Sequence, residues 1–177
     1  MAPTSDPTAR LIAFGRQLID VHQWLRRELV AVRTDVEAAV LGSGPRPKDL
    51  RAHCLTFCNA LGEHHSAEDD EVFPALSQQF LALRPVLELL FQDHHMVADI
   101  LRRLATAVDR LDADRVGDPV IAREVRGEID GLTAILESHF DYEERKLVDV
   151  LNGLNPEAGS AMSHALTRAT TVPASNH

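Results

Sequence analysis

His64-His65-Ser66-Ala67-Glu68-Asp69-Asp70-Glu71-Val72-Phe73-Pro74 sets an imidazole and a carboxylate four residues apart, ahead of an apolar pair and a proline. Side chains four apart on a helix lie on one face, one turn above the other. His64 and Glu68 therefore address a common point. Seventy-five positions later the spacing returns as His139 and Glu143, with Leu61 and Leu76 falling on Leu136 and Leu151.

The same duplication holds for the helices that flank these stretches. A shift of 72 positions lays Leu11, Leu18, His22, Leu25, Leu29, Val32 and Val36 on Leu83, Leu90, His94, Val97, Leu101, Leu104 and Val108. Each set recurs at helical steps of three and four, which is one apolar face. The two halves read as copies of one helical hairpin, each too small to bury its own face.

Four long helices follow. Asp6-Pro7 caps and starts the first, and Gly42-Ser43-Gly44-Pro45 ends it. The second spans about Pro47 to about Glu71, where Pro74 is expected to break the ladder and leave Ala75 to Phe80 as a short helical turn. The third spans about Pro85 to about Leu111, and Asp112 to Gly117 is polar connection. Asp118-Pro119 opens the fourth, which reaches about Leu151. Short connections imply antiparallel neighbours, so the expected fold is all-α: an antiparallel up-down four-helix bundle over residues 7–152. Residues 153–177, rich in Ala, Ser, Thr and Pro, read as a flexible C-terminal tail, with Ala158 to Ala169 able to form at most a weak helix.

Bulk composition agrees. Apolar residues make up 45% of the 177 residues and aromatics only 5%, which favours helix over strand. A net charge of −9 without a Lys/Arg cluster argues against a nucleic-acid partner. There is no run of eighteen apolar residues to span a membrane and no basic start with an apolar run, so a soluble cytoplasmic protein is the expectation. Cys54 and Cys58, four apart on one helix, read as small buried residues rather than a disulfide framework.

His22 is in phase with Leu18, Leu25 and Leu29, and His94 with Leu90, Val97 and Leu101. Six polar groups, His22, His64, Glu68, His94, His139 and Glu143, are thus expected to face an apolar interior. Buried carboxylates without partners are costly, and two near each other cost more. A pair of divalent metal ions removes that cost. Imidazole and carboxylate without thiolate suit iron or manganese, with zinc possible. The six residues are therefore assigned as metal ligands, with the carboxylates bridging two ions and each ion taking two imidazoles.

The order His, His-x-x-x-Glu, His, His-x-x-x-Glu, with the segment from His64 to Pro74, resembles the bacterial hemerythrin-like proteins with HHE cation-binding domains. The likeness covers roughly Leu11 to Leu151. It implies a cofactor of two iron ions, oxo- and carboxylate-bridged, and dealings with dioxygen, nitric oxide or hydrogen peroxide. Two departures stand out. Oxygen-carrying hemerythrins place another His one turn after the third-helix ligand, where this chain has Ala98. Their last helix supplies an Asp five after its His, where Glu144 stands here. The loss of an imidazole favours turnover of a small oxidant over reversible oxygen carriage.

Neighbouring residues are assigned away from the metals. His65 matches Phe140 in the repeat and His95 matches Gln23, so both are given a supporting or rim place. Glu71 reads as a solvated carboxylate, and Asp69, Asp70 and Glu144 as the wet side of their helices. His53 lies about 16 Å along the helix from His64, too far to share its metal. Tyr142 and Trp24 read as packing. The expected function is catalase-like decomposition of hydrogen peroxide by a non-haem di-iron protein in oxidative stress defence. The alternative is binding, sensing or storage of dioxygen, nitric oxide or iron without turnover. A metal-free structural bundle is disfavoured by the six inward polar groups.

Overall fold

The computed structural model describes residues 7–110, 118–154 and 168–169, and every element among them is helical. These are α1 (Pro7–Val40), α2 (Pro47–Ala67), a π turn (Glu68–Val72), α3 (Phe73–Gln79), a 3-10 turn (Leu81–Leu83), α4 (Arg84–Asp109) and α5 (Pro119–Asn152). The expected polar connection at Asp112 to Gly117 lies outside the described residues, as do most of the C-terminal residues.

Helix ends follow local chemistry. Gly42 adopts φ 75°, the left-handed region open to glycine. There the Ser43 N–H donates to Ala38 O at 3.0 Å and the Gly42 N–H to Ala39 O at 3.1 Å, so two end carbonyls of α1 are satisfied. At the start of α5 the Val120 N–H donates to Asp118 Oδ1 at 2.9 Å, the expected cap.

At Pro74 the α ladder is interrupted as expected and a short helix follows, with no non-helical residue between them. The proline has no N–H to offer the Asp70 carbonyl. The backbone widens before it into the π turn, in which the Phe73 N–H donates to Glu68 O, and α3 follows directly. Such turns inside α-helices are frequent at functional sites.

The chain divides into two compact units. One comprises Met1–Trp24, Glu63–Gln92 and His139–His177, the other Leu25–Gly62 and Asp93–Ser138. In the second unit ion pairs show which helices adjoin. Arg26 and Arg33 on α1 meet Glu137 and Asp130 on α5, at 3.4 and 3.1 Å. Arg103 and Arg110 on α4 meet Glu128 and Glu124 on α5, at 3.0 and 2.6 Å. Arg51 on α2 meets Asp109 on α4 at 2.7 Å, and His53 on α2 meets Asp35 on α1 at 2.8 Å. Numbers rise along one helix as they fall along α5, so α1 and α4 both run antiparallel to it. Exposed pairs of this kind add little stability; the apolar seam of Leu25, Val32, Val36, Phe57, Leu61, Val97, Leu104, Ile129 and Leu132, all buried, holds this unit.

In the first unit a cluster of Phe14, Leu18, Phe73, Leu76, Leu87, Leu90, Leu147 and Leu151 forms the apolar floor. Gly15 lets α1 lie close to α5: a Cβ there would sit 3.0 Å from the Val148 carbonyl.

The duplication is visible in burial. Leu18/Leu90, His22/His94, Leu25/Val97, Val32/Leu104 and Val36/Val108 are buried as pairs, and so are Leu61/Leu136, His64/His139, Glu68/Glu143 and Leu76/Leu151. Leu101 departs from Leu29: it is half-buried, and Ile100 beside it is buried instead. Cys54 and Cys58 are buried free thiols, and burial pushes them up to about 12 and about 11, which leaves them unreactive.

Candidate metal centre

All six inward residues are enclosed: His22, His64, Glu68, His94, His139 and Glu143 are each at most 3% exposed. His22 comes from α1, His64 from the last turn of α2, and Glu68 from the first position of the π turn. His94 lies on α4, and His139 and Glu143 lie on α5. His95, one step round from His94, is exposed, so the register expected for α4 holds.

Four of the six converge within the first unit. Ligating atoms of His22, His64, Glu68 and Glu143 all lie within 4.8 Å of one another. His22 Nε2 is 3.1 Å from His64 Nε2 and 3.5 Å from Glu143 Oε2. His64 Nε2 is 3.5 Å from Glu68 Oε1, and His139 Nε2 is 3.4 Å from Glu143 Oε2. Phe140 stacks on the His22 ring at 4.1 Å between centroids and walls that side with hydrocarbon.

The tautomers follow from the outer partners. His22 Nδ1 faces Glu144 Oε1 at 2.9 Å, and His64 Nδ1 faces the Ala169 carbonyl at 2.5 Å. A carbonyl or carboxylate oxygen only accepts, so in both rings Nδ1 carries the hydrogen. Both Nε2 lone pairs are then directed at each other across 3.1 Å. That arrangement repels unless a proton or a cation stands between them.

The carboxylates make the same demand. Both Glu143 oxygens are enclosed, and neither makes a hydrogen bond of normal geometry among the described residues. Burial pushes Glu143 up to about 8; the facing Glu68 carboxyl, as a proton donor, opposes part of this, and the charges of Glu144 and Asp69 add to it. Burial also holds Glu68 well above the usual carboxylate range, and the charge of Glu143 raises it further. Two imidazole lone pairs and two disfavoured carboxylates around one point fit a divalent or trivalent cation. The donor set is nitrogen and oxygen without sulfur, which suits iron.

Several residues differ from the sequence expectation. His65 is buried, not at a rim, and its ring packs edge-on against His139 at 5.2 Å. The repeat held the signal: its counterpart Phe140 is apolar and interior. Glu144 is not on the wet side but half-buried, orienting His22. Its counterpart in the repeat, Asp69, is also acidic and half-buried. Ala98 is exposed, so the position of the missing imidazole does not open among the buried donors. Ala169 is buried rather than part of a free tail. Glu71 is not merely solvated; it is half-buried and pairs with Arg168. His53, as expected, is engaged elsewhere, with Asp35 and Glu28.

A second-sphere carboxylate fixes ring orientation and raises imidazole basicity. Glu144→Gln keeps the shape but removes the charge, and metal affinity is expected to fall about 10- to 100-fold. A competition titration with a chelator measures this; unchanged affinity would show that Glu144 does not support His22.

These features define an all-α helical bundle with buried His/Glu clusters able to bind metal. The family model of the hemerythrin HHE cation-binding domain matches residues 15–151. The chain belongs to that family, whose domains bind metal, typically iron. No curated protein and no solved structure matches it. No described helix is long and apolar enough to cross a membrane.

Proposed function

We propose that the protein binds two iron ions and decomposes hydrogen peroxide, one molecule being oxidised to dioxygen while a second is reduced to water. The proposed ligands are His22, His64, Glu68, His94, His139 and Glu143, with buried His65 as an additional candidate. Iron when bound would accept electrons from one peroxide and return them to the other, so the reaction needs no external reductant.

The observation that carries this reading is the acidic complement around His22. Glu68 and Glu143 are enclosed beside its Nε2, and Glu144 accepts from its Nδ1. Negative charge in and behind a donor set favours the more highly charged oxidation state. An oxygen carrier must rest reduced; a site that prefers the oxidised state suits peroxide turnover. Glu144 holds its charge behind the ring while keeping 22% side-chain exposure, so its own ionised form stays hydrated.

The test is oxygen evolution from hydrogen peroxide at an electrode, with iron-loaded protein beside an equal concentration of free iron. The expected result is evolution well above free iron. Evolution no faster than free iron, or a long-lived reversible oxygen adduct, would favour binding or sensing of dioxygen or nitric oxide instead.

A further inference from the structure

Residues Arg168 and Ala169 lie beyond the stretch matched by the family model, yet they reach the buried donors. Ala169 is 2% exposed and belongs to the same apolar cluster as Leu18, Leu90 and Leu147. Its carbonyl accepts from His64 Nδ1 at 2.5 Å, a short contact for this pair of atoms. Beside it, the Arg168 guanidinium pairs with Glu71 of the π turn. That turn also begins with Glu68, so the pair ties Ala169 to the element that carries the nearest carboxylate.

From this geometry we infer that Arg168 and Ala169 act as a positioning strap: the Ala169 carbonyl fixes the His64 ring and its tautomer, and the Arg168–Glu71 pair holds the carbonyl in place. The inference deepens the metal-site reading and rests on it for its consequence, though not for the contact itself. The neutral ring has one proton. Placing it on Nδ1 leaves the Nε2 lone pair facing His22, Glu68 and Glu143. Without the carbonyl the ring is free to carry the proton on Nε2 or to rotate, and either change removes a ligand atom from the cluster. His22 obtains the same service from a carboxylate within the matched region. His64 obtains it from a main-chain oxygen outside that region, so the two facing imidazoles are held by parts of the chain that can be altered separately.

A chain ending at Thr167, and the full chain with Arg168→Glu, Glu71→Arg and both together, separate this role from simple packing. In the metal-free full chain, nitrogen-15 histidine spectra are expected to show His64 protonated at Nδ1, with a slowly exchanging proton. In the chain ending at Thr167 that resonance is expected to disappear while helix content is kept. Each single charge reversal is expected to weaken it and the double reversal to restore it. Iron affinity is expected to follow the same order, falling about 10- to 100-fold in the shortened chain. An unchanged His64 resonance on truncation would overturn the strap. A lost resonance with unchanged iron affinity would overturn its positioning role. Failure of the full chain to bind iron at all would overturn the metal reading, while the metal-free spectra would still decide the contact.

Discussion

Glu143→Gln is expected to abolish iron retention and peroxide consumption, and yet to leave the metal-free protein more stable than the parent above pH 7. The carboxyl is fully enclosed, and burial raises it to about 8. In the unfolded chain it titrates near 4.5. The folded state therefore binds more protons than the unfolded state between these values, and stability falls as pH rises through that window. The contribution is fully present below about pH 4.5 and lost once pH has passed about 8. A shift of this size corresponds to at most about 5 kcal/mol. Glutamine keeps the shape and never ionises, so it removes this loss, and less of the charge that raises Glu68 remains. Thermal unfolding of metal-free parent and variant should coincide near pH 5 and diverge by several degrees at pH 8, the variant melting higher. Iron reverses the order, because the parent's carboxylate gains a cation that the amide cannot hold as well. A variant less stable than the metal-free parent at pH 8 would mean that Glu143 is stabilised by the fold itself and is not kept for a metal.

That reversal also shows which parts of the centre were legible in the sequence. The phase of His22 with Leu18 and Leu25, and of His94 with Leu90 and Val97, needs only the period of a helix and a core on one side. The repeat then confirmed the register by counting: His94 is buried and His95 exposed because a single residue turns the side chain about 100°. What escaped depends on relations between elements. Glu144 serves His22 only because α1 and α5 adjoin, and within its own helix it looks like any half-wet acid. The π turn arises where Pro74 withholds a donor while Phe73 and Leu76 must still reach the core. That compromise is set by packing, so Pro74 alone suggested a break. The partner of His64 is a backbone oxygen, and no residue type announces it. For His65 burial removes the rim place and leaves the supporting one: its apolar counterpart Phe140 says that the position is interior.

The proposed ligand set implies a count. Anaerobic loading with Fe²⁺ at pH 7.5 is expected to give close to two irons per parent chain, with charge-transfer absorption in the near ultraviolet after oxidation. The metals displace the protons that the buried carboxylates would otherwise keep. His22 and His94 occupy equivalent places in the duplication and are both buried. Removing either ring takes one donor from a set that supplies only two imidazoles per ion. His22→Ala and His94→Ala are therefore each expected to lose half of the iron or more. His95→Ala removes an exposed ring on the far side of the register and is expected to keep nearly all of it. Emission spectrometry for metal content, with circular dichroism to verify that each variant is still helical, makes the comparison. Loss of iron from His95→Ala with retention by His94→Ala would place the wrong histidine of α4 at the metal. A single tightly held zinc that iron cannot replace would reject the di-iron assignment altogether. The two imidazoles facing each other at 3.1 Å would then mark a mononuclear site shared by His22, His64, Glu68 and Glu143.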